Sequence, residues 1–176
     1  GSEMCIRDSL QGLPERYAQV QLRKARIYRQ LGRSEAEPLY KGLLGTCLAA
    51  EGEHGLGQLA AGRGDNALAT THLERAARMA PTDEKIRNDL GVVYLNQLRL
   101  DEARFEFLTS LELKQGDSLA ALNLVTLLIY QDQWSQAAEL ASRAELTPAQ
   151  VGDAQARAQA LKTQAKTASN QVAAIK

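Results

Sequence analysis

A stretch of about 34 residues, Asp83 to Gly116, recurs in register on both sides of itself, and this recurrence constrains the fold more than any other feature of the chain. In its first half Ile86, Leu90, Val93 and Leu98 fall near one helical face, and in its second half Ala103, Phe107, Leu108 and Leu111 do the same. The spacing predicts a helix, a short turn and a second helix. One period upstream, Leu56-Gly57, Ala60, Ala69, Leu73 and Ala76 occupy the places equivalent to those of Leu90-Gly91, Tyr94, Ala103, Phe107 and Ser110, with Pro81 at the end of the period. One period downstream stand Leu124, Leu128, Ala137, Ala141 and Ala144, with Val125 in place of the glycine and Pro148 one residue early. Each such pair leaves an apolar face that only a stacked neighbour can cover, so the chain is expected to be an array.

Leu90-Gly91 followed by Tyr94, then Ala103, Phe107 and Ser110, resembles the tetratricopeptide (TPR) pattern, in which small residues let two antiparallel helices approach and large ones fill the gaps beside them. The resemblance implies an all-α, right-handed TPR solenoid of about four helix-turn-helix repeats with a C-terminal capping helix. The repeats fall at residues 10–49, 50–82, 83–116 and 117–147, and the capping helix at 148–176.

The first repeat is degenerate. Tyr17, Val20, Ile27 and Leu31 describe an amphipathic helix, but Arg23 and Lys24 stand where Leu-Gly is usual. Gly32 ends that helix, Ser34 is positioned to cap the next, and Ala36, Leu39, Tyr40, Leu43 and Leu44 form its stripe. Pro38 falls near its start, where a missing N–H is tolerated. The second repeat carries Gly52, Gly55, Gly57 and Gly62 in or beside one helix; at about 1 kcal/mol for each interior glycine, it reads as the weakest local element, held by packing rather than propensity and able to open more easily than its neighbours. From Thr147, as cap, the stripe Val151, Ala154, Ala158, Leu161, Ala165, Ala168, Val172 and Ile175 is expected to lie on the last repeat, with Gln155, Gln159, Lys162 and Lys166 turned to water.

Lysine plus arginine equals aspartate plus glutamate at 21 each, so no net field draws the protein to nucleic acid or an anionic membrane. The cluster Arg23, Arg26, Arg29 and Arg33 lies close to Glu15, Glu35 and Glu37 and reads as a solvated face. No run of about 18 apolar residues exists to span a membrane. Residues 1–9, GSEMCIRDS, look like a tag or non-native leader; Met4 precedes Cys5 where a lipid-anchor motif would place a small residue. Cys5 and Cys47 form no disulfide framework.

Nothing in the pattern reads as an active site, a cofactor site or a metal site. His54 and His72 lie on different helices without a second ligand at metal spacing. Gly55-Leu56-Gly57 lacks the preceding strand and following GK[ST] of a phosphate loop, and Gly62-Arg63-Gly64-Asp65 reads as the turn between two helices rather than an adhesion tripeptide. Asp101, Glu102 and Glu106 are explained by pairing on a helix surface.

Binding remains. In TPR arrays the first helix of each pair lines a concave groove, which implies a partner-binding set of Tyr28; His54 and Gln58; Asn88, Val92 and Leu95; and Leu119, Leu122, Thr126 and Tyr130. Val92 and Leu122 fit burial against a neighbouring helix as well as they fit a groove. The surface turns apolar toward its C-terminal end and suits a peptide with two or three apolar anchors, its backbone held by Gln58 and Asn88. Lys85 and Asn88 stand isolated, so the lysine, asparagine and arginine set that clamps a chaperone's C-terminal carboxylate is missing. Trp134, at a turn, is expected to pack a corner.

The run IRNDLGVVYLNQLRLDEARFEFLTSLEL, with AALNLVTLLIYQDQWSQAAELASRAELTPAQ after it, is similar to the TadD family, the TPR lipoproteins of bacterial tight-adherence (Flp, type IVc) pilus systems, over residues 15–160. The distinguishing matter is Leu122-Asn123-Leu124 and Trp134. That resemblance implies a periplasmic, outer-membrane-associated scaffold that assists placement or assembly of the pilus secretin, with a lipid anchor in the intact protein. A cytoplasmic TPR adaptor or regulator is the alternative, and pairing of two copies through exposed edges is compatible with both.

Overall fold

Short polar signals set the helix boundaries. Asp65, Asp83 and Asp117 each turn a carboxylate onto the first free N–H groups of the helix that follows, accepting from Leu68 at 3.0 Å, from Lys85 and Ile86 at 2.9 and 3.1 Å, and from Leu119 at 3.1 Å. Thr147 does the same for Gln150 at 3.2 Å, and the Gln150 side chain accepts from the Thr147 N–H at 2.8 Å, closing a reciprocal capping box.

The computed structural model describes residues 13–174, with side chains from 16 to 170; the leader with Cys5, and the side chains of Val172 and Ile175, lie outside these. Among the described residues the chain is helical throughout: α1 (Leu13–Gln30), α2 (Ala36–Lys41), α3 (Ala49–Gly62), α4 (Asn66–Met79), α5 (Glu84–Asn96), α6 (Leu100–Leu113), α7 (Ser118–Tyr130), α8 (Trp134–Arg143) and α9 (Pro148–Ala174). They divide into two compact units at Val93/Tyr94, within α5.

In unit 1 the recurring positions are core. Leu56, Ala60, Ala69, Leu73 and Ala76 are buried, three of the alanines and the leucine completely. The glycines of α3 are packing residues rather than weak points. A side chain at Gly55 would fall on the Tyr40 ring, one at Gly57 would meet Leu73 Cγ at 2.6 Å, and one at Gly52 would meet the Tyr40 carbonyl at 2.9 Å. The helix is thus held by packing, as expected, with local propensity sacrificed for a close crossing of α3 with α2 and α4. The face of α1 is corrected. Ala18, Leu22 and Ala25 are buried, whereas Tyr17, Val20, Ile27 and Leu31 are 53–72% exposed. α2 keeps Pro38 in its first turn but stops at Lys41; Leu43 is fully buried in the irregular segment after it, and Leu44 is exposed. Ser34 caps nothing, since Glu35 holds the N-cap position without a side-chain bond.

In unit 2, Tyr94, Ala103, Phe107 and Ser110 of one pair, and Leu124, Val125, Leu128, Ala137 and Ala141 of the next, are buried. Leu108 is 45% exposed, so it is not on the packed face assigned to it, and Leu98 lies in the turn after α5 rather than on the helix. α9 lies on α7, burying Ala154, Ala158 and Leu161. Arg157 of α9 donates to Asn123 Oδ1 at 2.9 Å and Asn96 Oδ1 at 3.3 Å, and burial pushes its guanidinium below the ordinary arginine value. Lys162, expected in water, pairs with Asp132 at 2.6 Å. Trp134 opens α8 and is 51% exposed, so it does not fill a corner.

The turn after each first helix closes with one hydrogen bond of the same kind. The N–H of Arg33 reaches Tyr28 O, Asp65 reaches Ala60 O, Arg99 reaches Tyr94 O and Gln133 reaches Leu128 O, all at 2.8–3.0 Å. The last three stand about 34 residues apart, the backbone counterpart of the sequence period. Each turn needs one left-handed residue. Gly32 and Gly64 supply it at no steric cost, whereas Leu98 and Asp132, both at φ 59°, adopt it at a cost of about 1–2 kcal/mol.

Candidate functional site

Two of the expected groove positions of unit 1, His54 and Gln58, line a polar cleft of about 360 Å³, to which α1 contributes Arg26 and Arg29, α3 also Glu51, and the start of α5 Asp83 and Lys85. His54 Nε2 lies 2.7 Å from Asp89 Oδ2, and Gln58 Nε2 donates to the same oxygen at 2.8 Å. Asn88 Nδ2 donates to Asp89 Oδ1 at 3.4 Å. Burial alone would raise the Asp89 carboxyl, but the donors His54, Gln58 and Asn88 outweigh it and hold the group below the ordinary aspartate range.

Arg26 and Lys85 have no side-chain partner among the described residues, and Arg29 reaches the Tyr40 hydroxyl at 3.4 Å. The basic cluster therefore splits. Arg26 and Arg29 enter the cleft, while Arg33 pairs with Glu35 at 2.6 Å and covers the Tyr28 ring at 4.7 Å. Lys85 is not isolated but shares the cleft with them. Sequence reasoning missed this meeting because the cations are distant in the chain. The cleft offers charge and hydrogen-bonding groups.

His72, on α4, does different work: its Nδ1 lies 2.6 Å from Glu53 Oε2, and Arg75 approaches the other oxygen at 3.7 Å. This buried carboxylate ties α3 to α4. Asp65 of the Arg-Gly-Asp turn is occupied as the cap of α4.

The other expected groove residues are sorted by burial. Tyr28 and Val92 are half-buried, and Asn88 is buried at 4% exposure. In unit 2, Leu119 is 55% exposed, and Leu122 and Tyr130 are half-buried. Leu95 and Thr126 are corrected to core positions at 0% and 1% exposure; the Thr126 hydroxyl donates to Leu122 O at 2.9 Å within its own helix. Helical phase places these two on the groove side, but their side chains are buried.

A second concavity in unit 2, of about 790 Å³, lies among α6, α7 and α8. Leu108 and Leu111 form one wall, Leu140 and Ala144 the other, and Ala121, Leu124 and Leu128 the floor. Leu108 and Leu111, expected on the face of Ala103 and Phe107, line it instead of packing inside the pair.

No family model matches the chain. Over 150 residues, 85% of its length, it is 43% identical to the TPR repeat-containing protein PA4299 of Pseudomonas aeruginosa. It has a tetratricopeptide-repeat fold. The TPR chain spans 61% of that relative's length. It also superposes on a mutant of the Thermobaculum terrenum O-GlcNAc transferase with a TM-score of 0.60 and 24% identity, covering 64% of this chain and 22% of the transferase, which shows a shared fold alone. No helix among the described residues is long and apolar enough to cross a membrane.

Asp89→Asn is expected to lower stability by about 1–3 kcal/mol at neutral pH, because it removes the charge and replaces one of the two accepting oxygens by an amide donor that faces the donors His54, Gln58 and Asn88. Since the folded-state value lies below the unfolded one, Asp89 contributes stability that is complete above the ordinary aspartate value of about 3.9 and is lost as pH falls through the depressed value. Urea titrations at pH 7 and below pH 4 check this: the difference between wild type and Asp89→Asn should shrink in acid.

Proposed function

We propose that this TPR chain is a non-catalytic interaction scaffold that assists placement or assembly of the outer-membrane secretin of a tight-adherence pilus, acting from the periplasm. The observation that carries the reading is the apolar strip on the first helix of the last pair, where Leu119 is 55% exposed beside half-buried Leu122 and Tyr130. Such a strip suits the apolar anchors of a partner peptide. The sequence resemblance around Leu122-Asn123-Leu124 and Trp134 supports the pilus setting, and the relative in Pseudomonas aeruginosa supports a bacterial one.

The test is capture from the envelope extract of a bacterium carrying tight-adherence pilus genes, with bound proteins identified by mass spectrometry. The secretin or another pilus component is expected with the wild-type chain. Leu119→Glu and Tyr130→Ala are each expected to weaken that capture tenfold or more, on the order of loss of one interface anchor, with helicity by circular dichroism unchanged. Recovery of cytoplasmic proteins alone would replace the pilus reading with that of a cytoplasmic adaptor.

A further inference from the structure

Two unpartnered apolar features of this chain complement each other. α1 exposes Val20 at 63% and Ile27 at 53%, flanked along the helix by Tyr17 and Leu31, while its opposite face is the packed one. The cleft of unit 2 offers Leu108, Leu111 and Leu140 over a floor of Leu124 and Leu128. Val20 and Ile27 are about 10 Å apart along a helix, and the wall of the cleft from Arg104 to Leu111 spans about 10 Å as well.

Charge agrees with shape. The exposed cations that flank the stripe on α1 are Arg16, Arg23 and Lys24, whereas α6, the wall of the cleft, has the exposed carboxylates Asp101 and Glu112. The lining itself carries no excess of positive charge: Arg143 pairs with Glu139 at 3.8 Å, and Arg104, held by Gln131 at 2.6 Å and Gln133 at 2.8 Å, is balanced by Asp117.

We propose that α1 of one copy docks, through Val20 and Ile27, in the α6–α7–α8 cleft of a second copy, as an amphipathic helix laid in an apolar groove. The contact is heterologous, with different surfaces on the two copies, so each chain retains one free stripe and one free cleft and association continues beyond a dimer unless a ring closes.

Sedimentation velocity on the full chain tests this. The wild-type mass is expected to rise with concentration across the micromolar range and to fall back as salt is added, because opposite charges steer the contact. Ile27→Glu and Leu108→Glu, both at exposed positions, are each expected to weaken association on the order of thirtyfold, with circular dichroism unchanged. An equimolar mixture of the two variants has one intact stripe and one intact cleft and is expected to form a 1:1 pair that grows no further. A wild-type chain that stays monomeric overturns the proposal. So does association that survives Leu108→Glu, which would mean stripe-to-stripe pairing, or a mixture that fails to pair.

Discussion

Gly55→Leu is expected to unfold unit 1 or leave it without a cooperative transition. The Tyr40 ring occupies the space beside Gly55, is itself 1% exposed, and cannot swing into solvent without opening the core that it shares with Ala36 and Leu43. Overpacking of this kind costs roughly 3 kcal/mol or more, whereas the helix-propensity gain from replacing a glycine is at most about 1 kcal/mol. The sign of the result is thus decided by the neighbour, not by the helix. Gly62→Ala, in the same helix, supplies the control: nothing lies within 4 Å of the added carbon, and the exchange should stabilise by up to about 1 kcal/mol. Urea unfolding followed by circular dichroism should move the two midpoints in opposite directions.

Phe107→Ala is expected to cost about 3–5 kcal/mol, the range for emptying the site of a buried aromatic ring. Phe107 is fully buried on α6, on a face whose other members, Ala103 and Ser110, are also at 0% exposure. Small residues bring the neighbouring helix close and the ring fills what remains, so the surroundings have little room to collapse into the cavity. The chain has two phenylalanines, both on this helix. Phe105 is 63% exposed, and Phe105→Ala should cost less than about 1 kcal/mol. Comparing their urea midpoints separates packing from composition, because both variants lose the same atoms.

These two cases also show what was legible in the sequence. The recurring positions from Leu56 to Ala141 carry their own test, since a residue type repeated at one spacing reports a packing constraint, and the structure buries them. The face of α1 was not legible. It bears two apolar stripes, and the more hydrophobic one, through Tyr17, Val20, Ile27 and Leu31, is the exposed one. Ala18 and Ala25 are buried instead, because close helix crossings select small side chains, which carry little hydrophobic signal. The glycines of α3 were half legible for a related reason: low propensity points to packing, whereas the partners of Gly55 and Gly57, Tyr40 and Leu73, lie on other elements. The polar cleft was half legible. His54 and Gln58 follow from helical phase, but their shared acceptor Asp89 and the cations Arg26 and Lys85 come from separate repeats.

The closing hydrogen bond that recurs after α3, α5 and α7 makes those turns interchangeable joints. Duplication or loss of a whole period would rejoin backbone ends that already share direction and cap, so drift in length among relatives is expected to proceed by complete helix pairs. One residue inserted inside α5 would instead rotate everything after it by about 100° and turn Leu90 or Val93 toward water. Evolution of such a chain is quantised: cheap in cassettes, ruinous in single steps.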